Sequence, residues 1–237
     1  MADVVFIEPV VVVFIQRVGQ HPTAIRYLHT HRNDPARISR FLQRLEQLAA
    51  SMYVRRVGVN ERIDRYGDLL EEMEKHDGDV LDSGSALDLG DGEKTATLDR
   101  LGGDIYLDKP RLYVLMRLEE ARSAGGVRFD HKVISVEHVL PQVPSPDSEW
   151  RRLFTEQQRI DWTHRLANLV LLPRRKNSSA QNYDFAKKKE AYFSKDGTSS
   201  PFLITMDVLR YNTWDSAILK ARQDDLLEKL SAVWQLS

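Results

Sequence analysis

Apolar residues in the first half of the chain recur at steps of three and four, which is the spacing of one helix face. This spacing predicts a helix over residues 38–52, and Asp34-Pro35 is a typical capping and first-turn pair for it. The same spacing predicts a second helix over residues 63–73, and Lys109-Pro110 predicts the start of a third. Residues 77–95 are rich in Gly, Asp and Ser, so we expect a mobile acidic loop there.

The pattern changes in the second half of the chain. A β-branched run over Val133–Val136 predicts a short strand, and the apolar run Leu169–Leu172 predicts another. Residues 183–193 are basic and helix-like, and apolar spacing predicts a long helix from Trp214 to Trp234. Two short strands among many helices indicate a mainly α fold of the α+β class.

This change of pattern suggests three regions. We expect a helical scaffold or connector over residues 1–125, a small core that contains both strands over residues 126–200, and a C-terminal helical region over residues 201–237 that packs on the core. No apolar stretch is long enough to span a bilayer, which requires about 20 residues. The apolar run Val4–Ile15 therefore predicts a buried strand or helix, and its position near Met1 suggests a fragment or separate subunit.

Composition excludes several classes of protein. The 237 residues are 42% hydrophobic and 29% charged, which is ordinary for a globular protein and excludes a collagen-like or disordered chain. The chain contains no Cys, so a disulfide, a thiol nucleophile and a Cys-ligated zinc are all excluded. The absence of Cys fits a reducing compartment.

The formal net charge of −1 conceals two segments of opposite charge. Residues 61–99 carry a net charge of −9, and residues 151–195 carry a net charge of +7. The basic segment could neutralise phosphates, and the acidic segment should face away from them. Charge alone favours the simpler interpretation, in which both segments are solvated helix faces.

The candidate chemistry lies at the end of the first predicted strand, in Glu137-His138-Val139-Leu140-Pro141-Gln142. Side chains alternate along a strand, so Glu137 and His138 point to different sides and can have different roles. Asn168 opens the second strand, and Asn177 follows it. Carboxylate and amide oxygens suit Mg²⁺.

These residues resemble the HNH, or His-Me finger, endonucleases, whose ββα-metal element has an Asp/Glu-His-hydrophobic-x-Pro strand end. The nearest resemblance is to the C-terminal nuclease part of GmrSD-type modification-dependent restriction enzymes, which include a nuclease of phosphorothioate-based phage defence. The matching stretches are Glu137–Gln142, Ala167–Leu172, Lys176–Ser178 and Phe185–Phe193. The resemblance implies a helical scaffold with an embedded ββα-metal HNH element. It also implies an antiphage role in the bacterial cytoplasm.

The resemblance also implies roles for single residues. His138 would be the general base that deprotonates the attacking water, with a pKa near neutrality. Glu137 and Asn177 would ligate one Mg²⁺ or Mn²⁺, and both Asn177 and Asn168 join the catalytic set. We expect Asn168 to brace the loop and orient His138 rather than to touch the substrate. The candidate phosphate contacts are Arg174, Arg175, Lys176, Lys187, Lys188 and Lys189.

Three hypotheses follow for the function. The leading one is a metal-dependent endonuclease that nicks double-stranded DNA, with an N-terminal nucleotide-hydrolysing sensor domain as a partner absent from this chain. The second is a non-catalytic DNA-binding or assembly module of the same ββα shape, and the third is a helical protein-interaction domain over residues 1–120. His164 could contact phosphate or be a surface residue, and His131 is expected to be structural. Oligomerisation stays open.

Overall fold

The computed structural model describes residues 21–76, 80–81, 86–123, 134–173, 182–190 and 200–237. Within this part the chain is mainly helical, with a small two-stranded antiparallel sheet, as the sequence predicts. The elements in chain order are α1 (His21–Thr30), α2 (Pro35–Val54), α3 (Val59–Lys75), α4 (Asp91–Gly102), α5 (Arg111–Arg122), β1 (Ile134–His138), α6 (Glu149–Leu153), α7 (Glu156–Thr163), β2 (Leu169–Pro173), α8 (Phe185–Lys188), α9 (Leu203–Met206) and α10 (Ser216–Trp234). Single 3₁₀ turns cover Ile105–Leu107, Leu166–Asn168 and Asp207–Arg210.

The chain forms two compact units. Of the described residues, the first unit contains those up to Leu98 together with Ser231–Ser237, and the second contains those between Asp99 and Leu230. In the second unit, α5 packs against both strands. The three regions expected from sequence stay a prediction.

The first unit is built on α2. Asp34 caps this helix, since its side chain accepts a hydrogen bond from the Arg37 amide at 2.9 Å, and Pro35 occupies the first turn, as predicted. The predicted helix over residues 63–73 is also present, as α3. The core of the unit consists of side chains from α1, α2 and α3 and the segment that follows them. The buried Glu46 carboxylate accepts a hydrogen bond from the Trp234 indole at 2.9 Å.

The predicted acidic loop over residues 77–95 is wrong at its C-terminal end, because α4 begins at Asp91. The Glu93 carboxylate accepts a hydrogen bond from the Gly90 amide at 3.0 Å and pairs with Arg55 at 2.8 Å. Acidic residues in the first turn stabilise a helix start through the helix dipole, so the acidic character here belongs to a helix. Residues 77–79 and 82–85 of the predicted loop lie outside the described residues.

The second unit contains the sheet. β1 and β2 are antiparallel, with Ile134 opposite Pro173 and His138 opposite Leu169. Residues 169–172 of β2 are fully buried, which explains the continuous apolar run in the sequence. The Thr205 hydroxyl donates to the Leu171 carbonyl at 2.6 Å and accepts from the Leu171 amide at 3.2 Å, so it satisfies the outer edge of β2.

The C-terminal helix α10 holds the turn that leads into β2. Gln223 accepts a hydrogen bond from the Ala167 amide at 2.8 Å, and Arg222 donates to the Ala167 carbonyl at 3.0 Å. Both side chains are almost fully buried. Trp214 and Leu219 join the apolar cluster beneath the sheet. Contacts with α10 therefore fix the turn at residues 166–168, which positions Asn168 just before β2.

Candidate active site

The candidate site forms where β1 ends and β2 begins. The register that pairs His138 with Leu169 brings the Asn168 carbonyl to the Val139 amide, which donates to it at 2.9 Å. The polypeptide after β1 is therefore joined directly to the turn before β2. Strand pairing thus makes neighbours of His138 and Asn168, which are 30 residues apart in the sequence. The resemblance to the ββα-metal element implies this proximity.

The Asn168 side chain is fully buried, and its amide group is used entirely within the protein. Its Oδ1 accepts from the Leu140 amide at 2.7 Å and from the Trp214 indole at 3.3 Å. Its Nδ2 donates to the Leu140 and Thr163 carbonyls, both at 2.9 Å. An amide group has two donors and two acceptor lone pairs, so no position remains for a substrate. The geometry therefore favours the expectation that Asn168 braces the loop after β1. It does not favour the prediction that Asn168 is a catalytic residue.

Glu137 forms an ion pair with Lys188 of α8, with 3.3 Å between Oε1 and Nζ. The same Nζ donates to the His138 carbonyl at 2.6 Å. The two side chains are 15% and 1% exposed, respectively. Burial raises the pKa of Glu137 and lowers the pKa of Lys188, and the attraction between the two charges opposes both shifts. Lys188 thus ties α8 to the end of β1.

This position corrects one sequence prediction. Lys188 is not a surface contact for phosphate, because its ammonium group is buried and bonded to β1. The reason is helical spacing: Phe185 and Lys188 are three residues apart and share the buried face of α8. Lys187 is exposed and lies over the Tyr183 ring at 3.7 Å. Lys189 is partly buried and donates to the Tyr211 carbonyl at 2.7 Å.

His138 is 4% exposed and lies in a small polar and aromatic cluster. Its Nε2 is 3.4 Å from Nδ1 of His164, and its Nδ1 is 3.3 Å from the amide nitrogen of Gln142. The Tyr106 ring meets the His138 ring edge-on, with 4.1 Å between centroids, and stacks on the His164 ring at 5.5 Å. The imidazole is therefore held on three sides.

Burial lowers the pKa of His138 from 6.5 to about 3, and coulombic interactions with His164 and Lys188 add to this shift. This corrects the expectation of a pKa near neutrality. Desolvation disfavours the charged imidazolium, so the ring is neutral at physiological pH and has a lone pair available. A water molecule that approaches it meets a base that is already deprotonated.

The other predicted site residues lie outside the described residues. These are Asn177, Arg174, Arg175 and Lys176, together with His131. The structure thus brings together Glu137, His138, Asn168 and Lys188 and does not describe the second predicted metal ligand. Those residue roles stay predictions.

The donors present fit a divalent cation in chemical type. Glu137 offers a carboxylate with two oxygens, of which Oε1 contacts Lys188, and Asn177 would offer an amide oxygen. Within the described ranges, no three His, Asp or Glu side chains converge as a metal-binding group. A cation bound here would therefore share Glu137 with Lys188 and need a ligand from residues 174–181 or from the substrate.

Three residues around His138 were not assigned to its surroundings from sequence. Gln142 is part of the motif itself, and His164 was only a candidate phosphate contact. Tyr106 comes from the 3₁₀ turn before α5, about 30 residues upstream, and no local pattern marks it. Its role depends on tertiary packing, which a single sequence does not show.

A family model for the C-terminal domain of GmrSD restriction endonucleases matches residues 97–229. The match covers more than half of the chain and nearly all of the second compact unit. The chain belongs to this family, which supports a nuclease function of the restriction-endonuclease type. No curated protein matches the chain as a relative. In the part of the chain that the structure describes, no helix combines the length and apolar character needed to cross a membrane.

Proposed function

We propose that this chain is a metal-dependent endonuclease of the HNH type that hydrolyses one strand of double-stranded DNA, with His138 as the general base. The observation that carries the proposal is the placement of a buried, neutral imidazole at the end of β1, beside a carboxylate and within an antiparallel pair of strands. A short helix, α8, follows the two strands and contacts the end of β1 through Lys188. The order strand, strand, helix agrees with a ββα element.

In this proposal, His138, Asn168 and Lys188 have different roles. His138 takes a proton from the attacking water, since its imidazole is neutral above about pH 5. A base with so low a pKa drives proton transfer weakly, and the negative charge of a bound phosphate would raise the pKa of His138 towards neutrality. Asn168 and Lys188 hold the backbone on both sides of His138, through Leu140 and through the His138 carbonyl.

Glu137 and Asn177 would hold Mg²⁺ or Mn²⁺. When bound, the cation supplies positive charge at the scissile phosphate and at the leaving 3′-oxygen. Exposed Lys187 is a candidate contact for the DNA backbone, as are Arg174, Arg175 and Lys176 from the same basic segment. A nucleotide-hydrolysing sensor domain is the proposed partner of this chain.

The test is conversion of supercoiled plasmid to the open circle by the purified chain. We expect nicking with Mg²⁺ or Mn²⁺, none with EDTA, and none with His138→Ala in either metal. His76→Ala is the matched control, because His76 is an exposed histidine at the end of α3 in the other unit. Salt-sensitive DNA binding without metal-dependent cleavage would instead support the non-catalytic module.

A further inference from the structure

The two ring nitrogens of His138 face different partners. Nδ1 faces the amide nitrogen of Gln142 at 3.3 Å, and Nε2 faces Nδ1 of His164 at 3.4 Å. With the Gln142 amide in this orientation, its nitrogen can only donate a hydrogen bond, so Nδ1 of His138 is the acceptor. A neutral imidazole has one proton, which then lies on Nε2 and is donated to His164. Hydrogen-bonding chemistry therefore selects one tautomer of His138.

The two sides also differ in access. Gln142 is exposed, so the Nδ1 side of His138 lies towards solvent. His164 is partly buried and fixed. The Tyr106 ring stacks on it with 13° between the planes, and the Tyr106 amide donates to the His164 carbonyl at 3.1 Å. Nε2 of His138 is therefore anchored by a fixed partner, His164. Nδ1 faces a partner that water can displace, Gln142, and is the nitrogen that can react.

We propose that His164 is a positioning residue that accepts the Nε2 proton of His138 and thereby keeps the lone pair on Nδ1, where a water molecule can replace the Gln142 amide. The inference rests on the proposed function only for its link to catalysis. When His138 takes a proton at Nδ1, its Nε2–H bond to His164 becomes charge-assisted and stronger. Tyr106 holds both rings in place for this exchange.

The proposal is tested by the ¹⁵N shifts of the His138 ring in the full chain at neutral pH, assigned with His138→Gln. We expect protonated Nε2 and unprotonated Nδ1 in the wild type. His164→Phe retains an aromatic ring for Tyr106 but has no acceptor, so both tautomers should appear and kcat should fall about 10–100-fold with little change in KM. His164→Gln offers an acceptor oxygen and should restore much of both readouts.

The outcomes separate this proposal from the proposed nuclease function. Protonated Nδ1 on His138 in the wild type would overturn the positioning role, even if no variant folds. An unchanged His138 tautomer in folded His164→Phe would overturn it as well. The expected shifts in a chain that never cleaves DNA would uphold the positioning role and contradict the nuclease function. His76→Gln should leave the His138 signals and kcat unchanged.

Discussion

The buried imidazole of His138 should make the stability of the second unit depend on pH. The ring has a pKa of about 3 in the folded protein and about 6.5 in the unfolded chain. Between these values the unfolded chain binds a proton that the folded protein does not bind. The contribution is therefore fully present above pH 6.5 and is lost as the pH falls towards 3. From pH 7 to pH 5 the predicted loss is about 2 kcal/mol, by linkage for one group.

This magnitude does not depend on the exact folded pKa, provided that it lies well below 5. Buried Glu119 and partly buried Glu137 have raised pKa values. They act in the opposite direction, because they gain protons in the folded state. The quantity to measure is therefore the difference between wild type and His138→Gln in the free energy of unfolding at the two pH values. The variant lacks the titrating group and largely retains the volume and polarity.

Urea denaturation followed by tryptophan fluorescence is suited to this measurement. Three of the four tryptophans, Trp150, Trp162 and Trp214, lie in the second unit, so the signal chiefly reports its unfolding. An m-value that is equal in both proteins would show that the same surface is exposed. We expect the wild type to lose about 2 kcal/mol more than the variant between pH 7 and pH 5. An identical pH response in both proteins would refute the reasoning, because the imidazole would then be solvated when folded.

Three further predictions follow from the same geometry. Asn168→Ala leaves two buried N–H donors without an acceptor and should reduce the free energy of unfolding by about 3 kcal/mol in urea, whereas a change below about 1 kcal/mol would contradict the bracing role. Lys188→Met leaves the partly buried Glu137 carboxylate without its cation and should lower the free energy of unfolding by about 3–5 kcal/mol. The pKa of Glu137, measured by carboxyl ¹³C titration, should rise, and an unchanged pKa would show that the pair is not formed. Lys187→Ala should weaken DNA binding and lower the magnitude of its salt slope by about one, whereas Lys75→Ala, at an exposed lysine in the first unit, should change neither.

Local signals in the sequence were sufficient for the principal helices and for both strands. Asp34-Pro35 and the stripe that follows it define α2 because capping and apolar spacing act within a few residues. The strand pair was predictable for a different reason. The continuous apolar run before Pro173 suits a strand that is buried on all sides, and β2 is buried through Leu172.

The surroundings of His138 were less accessible to sequence reasoning. Tyr106 and His164 reach the imidazole through packing between segments that are far apart in the chain, which a local pattern does not encode. The burial of Lys188, by contrast, was indicated by a local pattern. Lys188 follows apolar Phe185 by three residues and so shares its buried helix face, although its charge suggested a surface position. The low pKa of His138 follows from burial, and the degree of burial is known only once the core is assembled.

The central claim is that His138 accepts the proton of the attacking water, and single-turnover cleavage of an end-labelled DNA duplex tests it most directly. The wild type should cut one strand and leave 3′-hydroxyl and 5′-phosphate ends. His138→Ala should be slower by at least about 100-fold, and added imidazole should restore part of the rate by filling the space left by the missing ring. Cleavage by folded His138→Ala at the wild-type rate, with no response to imidazole, would contradict the claim.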